Sequence, residues 1–131
     1  MLASQSHETK TWRDISDARI FEQSTTDIFD AICRCVQDVL RESGANKGDV
    51  KGIGFDATCS LAVIDTNGNP VCVSKGKGVC GEIGERNIVL WADHRAEDEA
   101  RTINESGSVV LDYVGGSMSV SLQFGPFKVL N

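Results

Sequence analysis

The sequence predicts an α/β domain. Apolar residues recur at three- and four-residue intervals from Ile28 to Leu40, the period of a helix. Short apolar runs at 50–55, 60–65 and 88–91 are separated by glycine, asparagine and proline, the punctuation expected between strands. Size sets the scale: 131 residues fit one domain, which hides about two thirds of its extended surface on folding.

The first eleven residues are polar and without period, which predicts a loose terminus. Ile20 and Phe21 form a short apolar beat, an edge strand or a docking segment. Ser24 to Asp27 spells Ser-x-x-Asp, similar to a capping box, and opens the long helix. Ile28, Phe29, Ile32, Val36, Val39 and Leu40 supply its apolar stripe. Gly44 stops it, because glycine enters the left-handed cap conformation without a Cβ penalty. Val50 to Phe55 is apolar with little alternation, as in a strand covered on both faces. Ser60 to Asp65 and Pro70 to Val73 form a hairpin around Thr66-Asn67-Gly68-Asn69. Residues 74–85 hold four glycines and predict an exposed loop. Ile88 to Trp91 reads as a strand, 93–104 as a helix, and Val109 to Val114 as a helical turn ended by Gly115-Gly116. Pro126 limits any helix in the tail.

Hydrophobic and charged fractions of 40% and 24% are ordinary for a soluble globular chain. With 19 acidic and 13 basic side chains the net charge is -6, and no basic patch gathers. Nucleic acid and anionic lipid are therefore poor partners. Five cysteines form an odd set without a Cys-x-x-Cys pair, consistent with reduced thiols in the cytoplasm. Cys33 and Cys35, two apart on a helix, point to different faces and do not share a metal. No apolar run approaches the ~18 residues of a membrane span.

Two clusters carry candidate chemistry. The loop Asp56-Ala57-Thr58-Cys59-Ser60 gathers small polar groups, which suits a polyhydroxy ligand whose every hydroxyl seeks a donor and an acceptor. A tight turn that satisfies only its own backbone is the competing reading. Trp91, Asp93, His94 and Arg95 form the second cluster. The indole offers a flat wall to a sugar's C–H face, and the carboxylate accepts hydroxyl protons. Asp93 equally suits a helix N-cap, and Arg95 a solvated or ion-paired side chain. Gly76 to Gly81 spells GxGxxG, but a strand rather than a helix follows, so it holds no pyrophosphate. No P-loop is present. Cys59 has no histidine beside it in sequence and reads as a half-buried loop cysteine. Asn104-Glu105-Ser106 matches a glycosylation sequon without consequence in the cytoplasm.

GFDATCS, the Asn-Gly hairpin, ERNIVLWADHRA with Glu99-Ala100 and Ile103-Asn104 behind it, and YVGG at 113–116 occur in one order. Together with Glu22-Gln23-Ser24 they resemble the pentulose, ribulokinase-like branch of the FGGY carbohydrate kinases, over residues 20–120. The resemblance implies a partial ribonuclease H-like domain of the actin-like ATPase superfamily, with a mixed sheet and flanking helices. It implies ATP- and Mg2+-dependent phosphorylation of a ketopentose such as D-ribulose by the full-length protein. It places sugar contacts at Ala57, Thr58, Cys59, Trp91 and Asp93, none of which transfers the proton.

Three departures qualify that expectation. Nothing in residues 1–23 matches the family's phosphate-binding Asp-x-Gly-Thr hairpin. The domain that supplies the catalytic aspartate and adenosine pocket has no counterpart in these residues. Ser121-Leu122-Gln123 stands where the family places a glutamate and a Pro-Lys pair. The expectation is thus a loose segment over 1–19, a partial kinase domain over 20–120 and a divergent tail over 121–131. Such a chain would be a truncated or alternatively spliced product, inactive alone, with no ATP or metal of its own. The alternative is a non-catalytic sugar-binding or regulatory fragment that docks onto a protein partner, or onto itself, through an uncovered sheet.

Overall fold

The chain is described by a computed structural model over residues 2–76 and 79–120. Its four short strands form one antiparallel sheet: β1 (Trp12–Arg13), β2 (Phe21–Gln23), β3 (Leu61–Ala62) and β4 (Ile88–Val89), in the order β1-β2-β4-β3. The helices are α1 (Thr25–Ser43), α2 (Glu97–Glu105) and α3 (Val110–Tyr113). The α/β class matches the sequence expectation. Among the described residues every strand pairing is antiparallel, where a mixed sheet was expected.

α1 forms where its signals place it. The Ser24 hydroxyl accepts the Asp27 N–H at 3.3 Å, and Gly44 takes φ 67 at the other end. Its stripe is not packed as a core face, however: Phe29, Ile32 and Val36 are exposed, and only Ala31 of the helix is buried. β2 directly precedes α1 and is an interior strand, not the edge expected at Ile20 and Phe21. The neighbour that makes it interior is β1, which lies in the segment expected to be a loose terminus and its border. Arg13 stacks over the Phe21 ring at 4.5 Å and joins the two.

The expected strand at Val50 to Phe55 is absent. Residues 51–60 have no regular structure, and Ile53 and Phe55 are 76% and 83% exposed. A strand needs a neighbour to receive its N–H and C=O groups, and no described segment lies beside this one in the sheet.

The hairpin does form. Asp65 Oδ1 accepts the Asn67 and Asn69 N–H groups, Asp65 Oδ2 accepts the Asn69 side-chain amide, and Gly68 takes φ 85. These bonds, with the Asn69 side chain foremost, hold the Asp65 carboxyl below its ordinary pKa. Residues 70–73 pair on both sides, Val71 N–H to Val63 O and Cys72 N–H to Glu82 O. The glycine-rich stretch is exposed where described, and no helix follows it.

α2 begins at Glu97 rather than at 93, with Ala96 at its N-cap and no side-chain cap bond, while the Asp93 carboxylate accepts from Phe21 and Arg95 just ahead of it. Acidic Glu97, Asp98 and Glu99 face the helix N-terminus, where negative charge is favoured. α3 ends at Gly115 and Gly116, both at positive φ, as expected. The tail expected to diverge, with Pro126, lies outside the described residues.

The interior is unusual in composition. Buried apolar residues are small or few, Ile20, Ala31, Cys72, Ile88, Ala100 and Leu111, while the largest fully buried side chains are Glu22, Asn87, Asp93 and Ser24.

Candidate functional site

The turn after β4 is built by backbone bonds to the segment leading into β2. Leu90 N–H donates to Phe21 O at 3.0 Å, His94 N–H to Arg19 O at 2.8 Å, and Asp93 N–H closes the turn on Leu90 O at 2.9 Å. Between them the Phe21 N–H donates to Asp93 Oδ2 at 2.8 Å. A carboxylate oxygen thereby takes the place a strand carbonyl would fill, and the chain turns outward at Trp91. Trp91 is 53% exposed.

The loop before β3 reaches the same turn. Ser60 Oγ accepts the Trp91 N–H at 3.2 Å, and Ser60 N–H donates to Thr58 O at 2.9 Å. Ala57, Thr58 and Cys59 are exposed immediately beside this junction. Cys59 is therefore an exposed rather than a half-buried cysteine, and it is free, as are the other four. The structure thus joins the two expected clusters, 57–59 and Trp91, through Ser60.

Asp93 sits apart from them in exposure. It is 2% exposed, and its carboxylate accepts four bonds: Arg95 N–H at 3.0 Å and Arg95 Nε at 2.8 Å on Oδ1, Phe21 N–H at 2.8 Å and Arg95 Nη2 at 2.7 Å on Oδ2. Those four use all the acceptor directions of a carboxylate. Burial pushes its pKa up, but the Arg95 guanidinium and the Phe21 N–H outweigh burial and hold it below the ordinary value. Arg95 shifts the opposite way: burial lowers it, and Asp93 and then Glu22 raise it further. Arg95 is ion-paired, one of its two expected roles.

Sequence reasoning named no partner for three residues of this region. Glu22, 2% exposed, accepts from Arg95 Nη2 at 2.9 Å and from the Ser74 hydroxyl at 2.6 Å. Asn87, fully buried, accepts the Thr25 N–H at 2.9 Å and donates to Val63 O at 2.9 Å, tying the start of α1 to the hairpin. Ser60 is the third. The available signal was position at the border of a short apolar run, Glu22 just after Ile20-Phe21 and Asn87 just before Ile88.

A separate open cleft of about 560 Å3 lies along α2, lined by His94, Ala100, Arg101, Asn104 and Met118 among others. None of the five expected sugar contacts lines it. Among the described residues no three His, Cys, Asp or Glu side chains converge to hold a metal ion. Nor does the glycine-rich stretch open a helix whose amides could receive phosphate. No step of phosphate transfer is assigned to these residues. No helix among the described residues is long and apolar enough to cross a membrane.

The order of motifs resembles part of an FGGY carbohydrate kinase, and sequence comparison agrees. The chain is 46% identical over 109 residues to a Saccharomyces cerevisiae protein named D-ribulokinase, a match covering 82% of this chain and 15% of the yeast protein. It is 42% identical over 122 residues to an FGGY carbohydrate kinase domain-containing protein of Xenopus laevis, covering 92% of this chain and 20% of the frog protein. A ribulokinase of Geobacillus thermodenitrificans is 33% identical over 105 residues, 74% of this chain and 18% of that enzyme. The chain belongs to the FGGY carbohydrate kinase family and matches part of such a protein. It spans no more than about a fifth of the length of these curated relatives. No protein-family model matches it.

Proposed function

We propose that the chain carries one half of a pentulose site, the surface that receives a ketopentose such as D-ribulose in an ATP-dependent FGGY kinase. The observation that carries this reading is the Ser60–Trp91 hydrogen bond, which sets the small polar loop beside the exposed indole. Ala57, Thr58 and Cys59 offer backbone and hydroxyl groups to the sugar's hydroxyls, and Trp91 offers its face to the C–H side. Asp93 completes the site beneath the turn. A ribonuclease H-like framework, a boundary near 20 and near 120, and a cytoplasmic setting belong to the same reading.

In this reading phosphorylation belongs to the full-length protein, with ATP and Mg2+, and the chain alone is inactive. Catalysis of phosphoryl transfer is almost entirely positioning and charge neutralisation around the phosphates, and the described residues hold no such machinery. Saturation-transfer NMR with D-ribulose tests binding: transfer to the sugar is expected for the chain and lost in Trp91→Ala. Incubation with D-ribulose, ATP and Mg2+ should yield no phosphorylated sugar, and product would overturn the inactivity.

One observation favours the rival reading of a non-catalytic fragment that docks onto a protein. Ile53, Phe55, Phe29 and Val36 are exposed, and residues 51–60 belong to no helix or strand. Light scattering separates the readings: a chain that stays monomeric at high concentration and cross-links to no kinase counts against docking.

A further inference from the structure

Arg95 holds three separate stretches of the chain with one guanidinium. Its Nε and Nη2 grip Asp93 in a two-point fork at 2.8 and 2.7 Å, Nη2 also reaches Glu22 Oε1 at 2.9 Å, and Nη1 donates to Val73 O at 2.8 Å. Ser74 closes the circuit through its hydroxyl on Glu22 Oε2 at 2.6 Å. β2, the 73–74 segment and the turn after β4 are therefore fastened at one buried point. Two carboxylates share one cation there, and the Phe21 N–H and Ser74 O–H supply the remaining compensation. No buried side-chain polar atom among the described residues lacks a partner.

The position of this knot is what gives it a role. Asp93 and Arg95 lie two and four residues past Trp91, and Ser60 holds the Trp91 backbone from the other side. The indole is 53% exposed, and its backbone is carried by the turn below. We propose that Glu22, Asp93 and Arg95, with Ser74, are positioning residues that set the orientation of Trp91 over the pentulose site without touching the sugar. The saturated Asp93 carboxylate then acts through Trp91, not through a hydroxyl of the ligand. This rests on the pentulose-site reading above for its functional consequence, but its structural claim can be read from Trp91 alone.

The probe is Trp91 fluorescence in a Trp12→Phe background, which leaves a single indole. Arg95→Lys keeps the charge and loses the fork, and Glu22→Gln keeps the shape and loses one charge. Each is expected to retain a cooperative unfolding transition while Trp91 becomes more mobile, seen as lower anisotropy and about twofold faster acrylamide quenching. Unchanged anisotropy and quenching in both folded variants would overturn the proposal. Should Arg95→Lys fail to fold, Ser74→Ala removes only the hydroxyl on Glu22 and decides with a smaller shift of the same sign.

D-ribulose titration of the same proteins adds the functional arm. Affinity about tenfold weaker in the variants is expected, because a displaced contact group loses its alignment with the ligand. Equal affinity in parent and variants would overturn the proposal. No sugar response in the parent would instead sink the pentulose-site reading, while the anisotropy result still judges the positioning claim.

Discussion

Two regions of this chain obey opposite rules. Around β2 and the turn after β4, buried polar side chains outweigh apolar ones in volume, yet every bond is made. In residues 50–59 and along the outer stripe of α1 the side chains are apolar, yet they face water. The polar region is complete because its partners lie within the chain: Glu22, Asp93 and Arg95 bond each other, Phe21, Val73 and Ser74. The apolar region is incomplete because a strand and a helix stripe need a second layer, and none of the described residues supplies it. Apolar content therefore does not locate the stable part of this molecule; satisfied polar contact does.

The sharpest way to break that contrast is Arg95→Ala. It leaves Glu22 and Asp93 buried without their cation, at a cost of about 3–5 kcal/mol, a large part of the total stability of a small domain. Urea unfolding should show the transition lost or moved to much lower denaturant. Asn87→Ala is next: it strands the Thr25 N–H and leaves the Val63 carbonyl with the Val71 N–H as its remaining donor, at about 1–3 kcal/mol, and should lower the midpoint without changing the slope.

Acid gives a third test. The folded pKa of Asp93 lies below its ordinary 3.8, so its contribution is complete above that value and is lost as pH falls through the lower folded one. Circular dichroism across an acid titration should stay constant above pH 5 and collapse only below the ordinary carboxylate range. A loss beginning near pH 6 would contradict the assignment.

The smallest effect is expected on the apolar side. Phe55→Ser changes an 83% exposed side chain and should move stability by no more than about 0.5 kcal/mol, while reducing self-association in light scattering. A large destabilisation would mean that residues 50–55 are packed after all, and the contrast between the regions would fall.

These differences track what was legible in the sequence. The Ser24 cap, the Gly44 stop, the Asn67-Gly68 turn and the Gly115-Gly116 end are local signals, written within a few residues, and each appears in the structure. The run at Val50 to Phe55 carries an equally clear strand composition, but pairing is a property of neighbours. Asp93 was ambiguous for a related reason: an aspartate shortly before a helix is a natural N-cap, and the Phe21 N–H that claims it lies 72 residues away. Of the expected sugar contacts, the loop at 57–59 and Trp91 were readable as motifs. The Glu22–Arg95 pair that holds the turn was visible only as two charged residues in separate motifs.

Thermal unfolding of the chain, followed by circular dichroism with and without millimolar D-ribulose, tests the central claim most directly. A cooperative transition that moves upward with the sugar is the predicted result, because only a ligand of the folded state stabilises it. A cooperative transition that ignores D-ribulose at every concentration would contradict the claim that Trp91 and the 57–59 loop form half of a pentulose site.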